Sequence, residues 1–213
     1  MKFRRKSDAD AAPATLDGAE GTDGADGTTP AGGPFDIDEV PADLADVERV
    51  DLGSLLIAGT PGLELRLQVD EKSGAVQSAL VTGEEGAIEL RAFAAPRNGD
   101  LWEEVRPQLA ADVANRGGTT TEREGRWGTE LLCQLAVTLP DGQTGTQVSR
   151  IIGVNGPRWL LRATLLGRPA VDGEVAASWE ESISTIVVRR GEAAMPVGEA
   201  LPLTLPPQAK RVS

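Results

Sequence analysis

The sequence predicts an α+β fold in which two main helices pack against an antiparallel β-sheet. Two alternating apolar and polar runs flank Asn155-Gly156-Pro157, which is typical of a β-hairpin. Apolar residues recur at helical spacing in two stretches, 100–117 and about 172–184. The other strands follow one another through short turns, and strands grouped in this way favour α+β over a regular alternation of strand and helix.

The hairpin is the clearest of these elements. Its first strand covers 146–154, and one face of its second strand is apolar, with Trp159, Leu161, Ala163 and Leu165. Asn-Gly is a favoured corner because both residues tolerate positive φ, and Pro157 removes a backbone donor where that loss is tolerable. We therefore expect a sheet with one packed face and one partly covered face.

Both helices have recognisable boundaries. Asp100 stands three residues before Glu103, which is an N-terminal capping pattern, and Asn115-Arg116-Gly117-Gly118 ends the first helix. Pro107 lies inside this helix, so we expect either a kink or a loop before it. The second helix carries an apolar stripe of Val175, Trp179 and Ile183, and both Trp159 and Trp179 are expected in the core.

Further strands are predicted from period-two patterns between turn residues. In 63–69, apolar residues alternate with Glu64, Arg66 and Gln68, as in a half-buried strand. The others cover 54–57, 76–81, 87–94, 119–123, 131–139 and 185–190. Cys133 shares a strand face with three apolar side chains, so a buried and unreactive thiol is expected.

The net charge of −12 is concentrated near the N-terminus. The stretch from Ser7 to Glu48 holds twelve acidic residues and no Lys or Arg, which leaves 21 acidic residues against 21 basic ones elsewhere. Residues 1–34, basic and then acidic, have too few apolar side chains to offset the entropy of ordering and are predicted to be disordered. A single α+β domain is predicted for 35–190, followed by a Pro-rich extension, 191–213.

The composition excludes several kinds of chemistry. The chain has no His, no Tyr and one Cys, so catalysis by His dyads and metal sites of His or clustered Cys are excluded. It also has no phosphate-binding GxxxxGK[ST] loop. No cofactor is expected, and a non-enzymatic role is favoured. No apolar run follows the basic start and none is long enough to cross a membrane, so a cytoplasmic location is expected, which the lone Cys fits.

Two sets of residues are candidates for binding. Gly125-Arg126-Trp127-Gly128 places an Arg and a Trp on a turn, and both residue types are enriched at interaction hot spots. Trp127 is the better candidate for an exposed contact. Arginines on strands could line an anion-binding groove on the sheet, or could equally be solvent-facing members of cross-strand ion pairs: Arg91, Arg150, Arg158 and Arg162.

Several stretches resemble an uncharacterised actinobacterial family, a domain of unknown function: the start MKFRRK, the acidic Gly-rich spacer, DLWEEVRPQLAADV and NGPRWLLRATLLGRPA. The resemblance covers roughly 35–205 and implies no activity or catalytic residues. The order of elements is also similar to the Mog1/PsbP-like α/β/α sandwich, whose members are mostly non-catalytic binders or assembly factors.

Three functions remain open. The first is a non-enzymatic interaction or assembly domain with an unidentified protein partner. The second is a small-ligand binder or enzyme that uses an Arg/carboxylate groove on the sheet. The third, a nucleic-acid accessory protein, is disfavoured because the domain is neutral and the acidic tail would repel phosphates. The oligomeric state is not predicted.

Overall fold

The structure, a computed structural model, describes residues 32–97, 99–138 and 142–206. The predicted disordered tail, except for its last three residues, lies outside the described residues, and so does the predicted turn at Pro140-Asp141. The described strands are β1 (Phe35–Asp36), β2 (Arg49–Asp51), β3 (Leu55–Ala58), β4 (Glu64–Val69), β5 (Val76–Gly83), β6 (Gly86–Ala94), β7 (Thr119–Gly125), β8 (Gly128–Thr138), β9 (Thr144–Asn155), β10 (Trp159–Gly167) and β11 (Val187–Val188). The described helices are α1 (Leu101–Asn115), α2 (Arg168–Val171), α3 (Gly173–Ser184) and a short 3-10 helix, Ala42–Leu44.

Within the described residues the strands form two sheets. The large sheet has seven strands in the order β4-β5-β6-β10-β9-β8-β7, and all its neighbours are antiparallel. The small sheet has the order β1-β11-β3-β2, in which only β1 and β11 are parallel. The predicted α+β class, with helices against an antiparallel sheet, is confirmed.

The predicted hairpin is confirmed as β9 and β10, with Leu160 opposite Asn155. At its corner the Gly156 N–H donates to the Trp159 carbonyl over 2.8 Å. A Cβ on Gly156 would lie 2.1 Å from the Trp159 ring, so any larger residue would collide with the indole. Glycine is therefore needed here for close approach, whereas the sequence suggested a role in positive φ.

One face of the large sheet is covered over five of its seven strands, β4, β5, β6, β10 and β9. Trp159 and Trp179 are 0% and 3% exposed there, which confirms that both belong to the core. They pack with apolar residues of β5, β6, β9 and β10 beneath α3 and the small sheet. Asp172 begins α3 by accepting from the Glu174 and Val175 N–H groups.

The opposite face carries α1, which packs on β7, β8 and β9. The helix begins where the Asp100 carboxylate accepts from the Glu103 N–H over 2.9 Å, as the capping pattern predicts. It runs through Pro107 without the loop that the proline made possible. Trp102 of α1 lies directly over Gly153 of β9, where an added Cβ would come within 2.1 Å of the ring.

Both ends of the described chain pack against the domain. The Phe35 N–H donates to the Ile186 carbonyl, and Asp36 accepts from the Trp159 indole N–H over 2.7 Å. In the predicted Pro-rich extension, Leu201 is buried and its N–H donates to the Ala92 carbonyl over 2.8 Å. Part of this extension therefore lies along the edge of β6.

Candidate functional site

The residues predicted to bind do not form one site. Arg126 and Trp127 lie at the turn between β7 and β8, and Arg158 lies at the corner of the β9–β10 hairpin. Arg158 donates to a backbone carbonyl of the C-terminal extension over 3.4 Å. Arg150 and Arg162 lie on neighbouring strands but on opposite faces of the large sheet, because Arg150 is opposite Leu165 of the core face.

Arg150 is part of a buried ionic cluster on the covered face. Its guanidinium contacts both carboxylate oxygens of Glu130, at 2.6 and 2.8 Å, and one oxygen of Glu180 on α3, at 2.5 Å. The Arg123 Nε also donates to Glu130, over 3.3 Å. A Cβ on Gly125 would overlap this carboxylate, so the glycine makes the space in which Glu130 lies.

The electrostatics of this cluster indicate a structural role. Arg150 is 2% and Glu130 1% exposed. Burial alone would lower the pKa of the Arg150 guanidinium, but hydrogen bonds and negative charge from Glu130 and Glu180 outweigh burial and raise that pKa. Each charge has its partner in the fold, so the Arg150 charge is already neutralised by Glu130 and Glu180.

The Arg126-Trp127 turn makes contacts within the domain. The Trp127 indole N–H donates to the Gly33 carbonyl over 2.6 Å, and the ring is half-buried against the main core, unlike the exposed contact that was expected. Arg126 pairs with Glu181 at 3.0 Å and stacks on the Trp127 ring at 5.0 Å. These contacts hold the start of β1 against the domain, and binding by this turn stays a prediction.

Arg162 lies in a different setting, on the same face of the sheet as α1. It is directly opposite Arg91 of β6, and we call these two residues the arginine pair. Both guanidiniums stack on the ring of Phe93, at 5.3 Å for Arg162 and 5.5 Å for Arg91. The Arg91 Nε is buried and has no hydrogen-bond partner among the described residues.

The arginine pair is electrostatically unfavourable as it stands. Burial lowers the pKa of the Arg162 guanidinium, the adjacent Arg91 charge lowers it further, and Glu89 partly opposes both. Like charges directly opposite in a sheet are destabilising. Among the described residues neither arginine has a carboxylate within salt-bridge distance, in contrast to Arg150.

The arginine pair lies on a part of the sheet that α1 leaves uncovered. We define the open face as the side chains of β4, β5, β6 and β10 that point to the α1 side: Glu64, Arg66, Gln68, Ser78, Leu80, Thr82, Ala87, Glu89, Arg91, Phe93, Leu160, Arg162, Thr164 and Leu166. All of them except Ser78 and Leu160 are half-buried or exposed. The buried apolar side chains of α2 and α3, including Ala170, Trp179 and Ile183, pack in the core on the covered face.

Other candidate chemistry is sparse. Cys133 is buried beneath α1, as expected, and burial raises the pKa of its thiol although a hydrogen bond from Ser149 opposes the shift. Within residues 32–97, 99–138 and 142–206, no three Cys, Asp or Glu side chains are arranged to hold a metal ion. No helix in these same ranges has the length and apolar character needed to cross a membrane.

The sequence identified Arg91 and Arg162 separately, but not as a pair, and it missed Phe93. Their contact depends on the pairing of β6 with β10, which are far apart in the chain. A period-two pattern assigns side chains to a face within one strand but does not specify which strands are neighbours. The only local signal was the Arg91-Ala92-Phe93 spacing, which places Arg91 and Phe93 on the same face of β6.

Residues 33–212 match a protein family described as "Protein of unknown function (DUF3710)". The chain belongs to this family. The predicted membership of a family of unknown function is therefore confirmed, over a range that includes the whole described domain. No curated protein matches the chain.

Among solved structures, the chain is similar to the solution structure of cyanobacterial PsbP (CyanoP) from Synechocystis sp. PCC 6803. The TM-score is 0.37 and the sequence identity 11%, over 66% of this chain and 91% of the CyanoP chain. The weak resemblance to PsbP that the order of elements indicates is matched by an equally weak structural similarity.

Proposed function

We propose that this chain is a non-enzymatic binding domain that holds a partner protein against the open face of its large sheet. The observation that carries the proposal is the unequal coverage of the two sheet faces. One face is packed over β4, β5, β6, β10 and β9 by α3 and the small sheet. On the other face α1 packs on β7, β8 and β9 and, among the described residues of β6 and β10, reaches only Leu160 of β10 and Phe93 of β6.

The side chains of the open face are suited to a protein surface. Leu80, Phe93 and Leu166 provide partly accessible apolar area, and Thr82 and Thr164 provide hydroxyl groups between them. Protein interfaces combine an apolar centre, in which aromatic residues and Arg are enriched, with surrounding polar groups. The open face has this composition, and regular strands hold it in a fixed shape.

The charge of the open face indicates the chemistry of the partner. Arg66 is paired with Glu64 at 2.9 Å and contributes little net charge. The positive charges of Arg91 and Arg162 remain without a salt bridge among the described residues. Glu89 is the nearest acidic side chain on this face. A partner that brings carboxylates to this face would complement the excess of positive charge.

The residue inventory supports a role without catalysis. The chain has no His and no Tyr, and its only thiol is buried with a raised pKa, which disfavours the nucleophilic thiolate. A reducing, cytoplasmic location is part of the proposal, because the lone Cys133 is compatible with it.

Site-specific photo-crosslinking tests the proposal. A photo-reactive phenylalanine analogue replaces Thr164 on the open face, and in a matched variant it replaces Val171 of α2, which is 59% exposed. After irradiation in the native host, crosslinked peptides are identified by mass spectrometry. We expect the analogue at position 164 to crosslink to one recurrent partner sequence that is rich in Asp or Glu. The analogue at position 171 should not crosslink to that sequence. The same partner from both positions, or none from Thr164, would contradict the proposal.

A second candidate function is the binding of a small anionic ligand. The observation that favours it is the arginine pair itself, in which the Arg91 Nε is buried without a hydrogen-bond acceptor among the described residues. Small carboxylates and phosphate are therefore compared directly with a peptide in the experiment below.

A further inference from the structure

We infer that Arg91, Arg162 and Phe93 form a binding site for a single carboxylate presented by an acidic protein segment. This inference rests on the proposed function, because it specifies what the open face recognises. The site consists of two guanidiniums from neighbouring strands that flank one aromatic ring.

The geometry of the pair suits one shared anion. Residues directly opposite in an antiparallel pair have Cβ atoms about 5 Å apart, so Arg91 and Arg162 can reach the same group. Both guanidiniums are held against Phe93, which restricts their rotamers before a ligand arrives. Planar guanidinium donors match a carboxylate in a two-hydrogen-bond arrangement.

The repulsion between Arg91 and Arg162 destabilises the free protein, and a bound anion would reduce it. Two like charges lie side by side without a carboxylate partner in the described chain, and one of their nitrogen atoms is buried without an acceptor. A bound carboxylate would offset the two positive charges and reduce their mutual repulsion. Elsewhere in the same sheet the fold supplies such a partner itself, because Glu130 pairs with Arg150.

Glu89 determines which anion fits best. It lies two residues from Arg91 on the same face of β6, so the local charge is two positive groups against one negative. A singly charged carboxylate balances this charge, whereas a phosphate dianion would add repulsion from Glu89. A nucleic-acid backbone would also meet Glu64 on this face.

The surroundings favour a protein segment over a free small acid. The arginine pair stands between apolar side chains, with Phe93 on the α1 side, and with Leu80 and Leu166 towards the opposite end of the strands. An extended segment that runs along β6 and β10 can place an Asp or Glu on the pair and an apolar residue on each side. A small acid would use the charges alone.

The test titrates the full chain, labelled with nitrogen-15, with a blocked hexa-aspartate peptide and records the side-chain Nε–H signals of the arginines by NMR. Hexa-asparagine is the matched peptide control, since it has nearly the same shape and no charge. We expect hexa-aspartate to shift the Arg91 and Arg162 signals and hexa-asparagine to leave them unchanged. Affinity should fall when salt is raised from about 50 to about 500 mM, because exposed charges are screened.

Variants provide the second half of the test. Arg162→Gln should weaken hexa-aspartate binding by about tenfold or more, because one charge-assisted interaction is lost. Arg66→Gln is the matched control, since Arg66 lies on the same face but already pairs with Glu64, and it should bind as the parent does. Thermal unfolding of each variant establishes that it is folded.

Several outcomes would overturn the inference. Equal affinity of the parent and Arg162→Gln would remove the arginine pair from the site, and so would unmoved Arg91 and Arg162 signals. Succinate bound as tightly as hexa-aspartate would assign the pair to a small acid, and inorganic phosphate bound more tightly would assign it to phosphate. If Thr164 crosslinking persists unchanged in Arg162→Gln, the open face remains the binding surface and only the carboxylate assignment fails.

Discussion

Arg150 and Arg162 occupy neighbouring strands of one sheet and differ in every respect that matters for function. Arg150 points to the covered face, where Glu130 and Glu180 neutralise it and raise the pKa of its guanidinium. Arg162 points to the open face, where burial and Arg91 lower the pKa and no described residue forms a salt bridge with it. The comparison indicates that Arg150 is structural because the fold supplies its anion, whereas the proposed function assigns Arg162 to a bound carboxylate.

The largest effect on stability should come from replacing Arg150, the arginine that the fold pairs with carboxylates. Arg150→Leu leaves Glu130 buried, 1% exposed, with only the longer contact to Arg123. We expect a loss of about 3–5 kcal/mol in the free energy of unfolding, measured by urea denaturation, because a buried charge is left without its main partner. Arg123→Leu, at a side chain 40% exposed, is the control and should cost less than about 1 kcal/mol. A loss below about 1 kcal/mol for Arg150→Leu would contradict the structural role assigned to Arg150.

Removing an aromatic ring should also cost more stability on the covered face than on the open face. Trp159→Ala on the covered face removes a ring that is 0% exposed and loses the hydrogen bond to Asp36, so it should cost about 3–5 kcal/mol. Phe93→Ala on the open face, where the ring is half-buried, should cost about half as much or less. The two chemical denaturation midpoints provide the check. Equal losses would mean that the open face is as tightly packed as the covered one.

Much of the fold could be predicted from the sequence because its signals are local. The β9–β10 hairpin, the cap at Asp100, and the burial of Trp159 and Trp179 all follow from local sequence patterns. The N-terminal strand β1 was not predicted, because it pairs with β11 at the far end of the chain.

The candidate site was predicted only in part, for a related physical reason. Arg150 and Arg162 have the same residue type in similar strand patterns, and the sequence does not specify which face a helix will cover. The partner of Arg150 comes from β8 and α3, and the neighbour of Arg162 comes from β6. Long-range pairing thus decides which arginine is neutralised, and short-range periodicity carries no information about it.

The smallest expected effect is the most direct test of the account, which holds that Arg162 is kept for binding and not for stability. The pKa of the Arg162 guanidinium is lower in the folded protein than in the unfolded chain, so the folded protein binds the guanidinium proton less tightly. At neutral pH the guanidinium is charged in both states, and its charge therefore reduces the stability of the fold. Arg162→Leu removes this cost and the repulsion from Arg91, and it loses the contact with Phe93. Urea denaturation of Arg162→Leu should give a free energy of unfolding within about 1 kcal/mol of the parent, or higher. A loss of more than about 2 kcal/mol would show that Arg162 is a structural residue like Arg150 and would contradict the account.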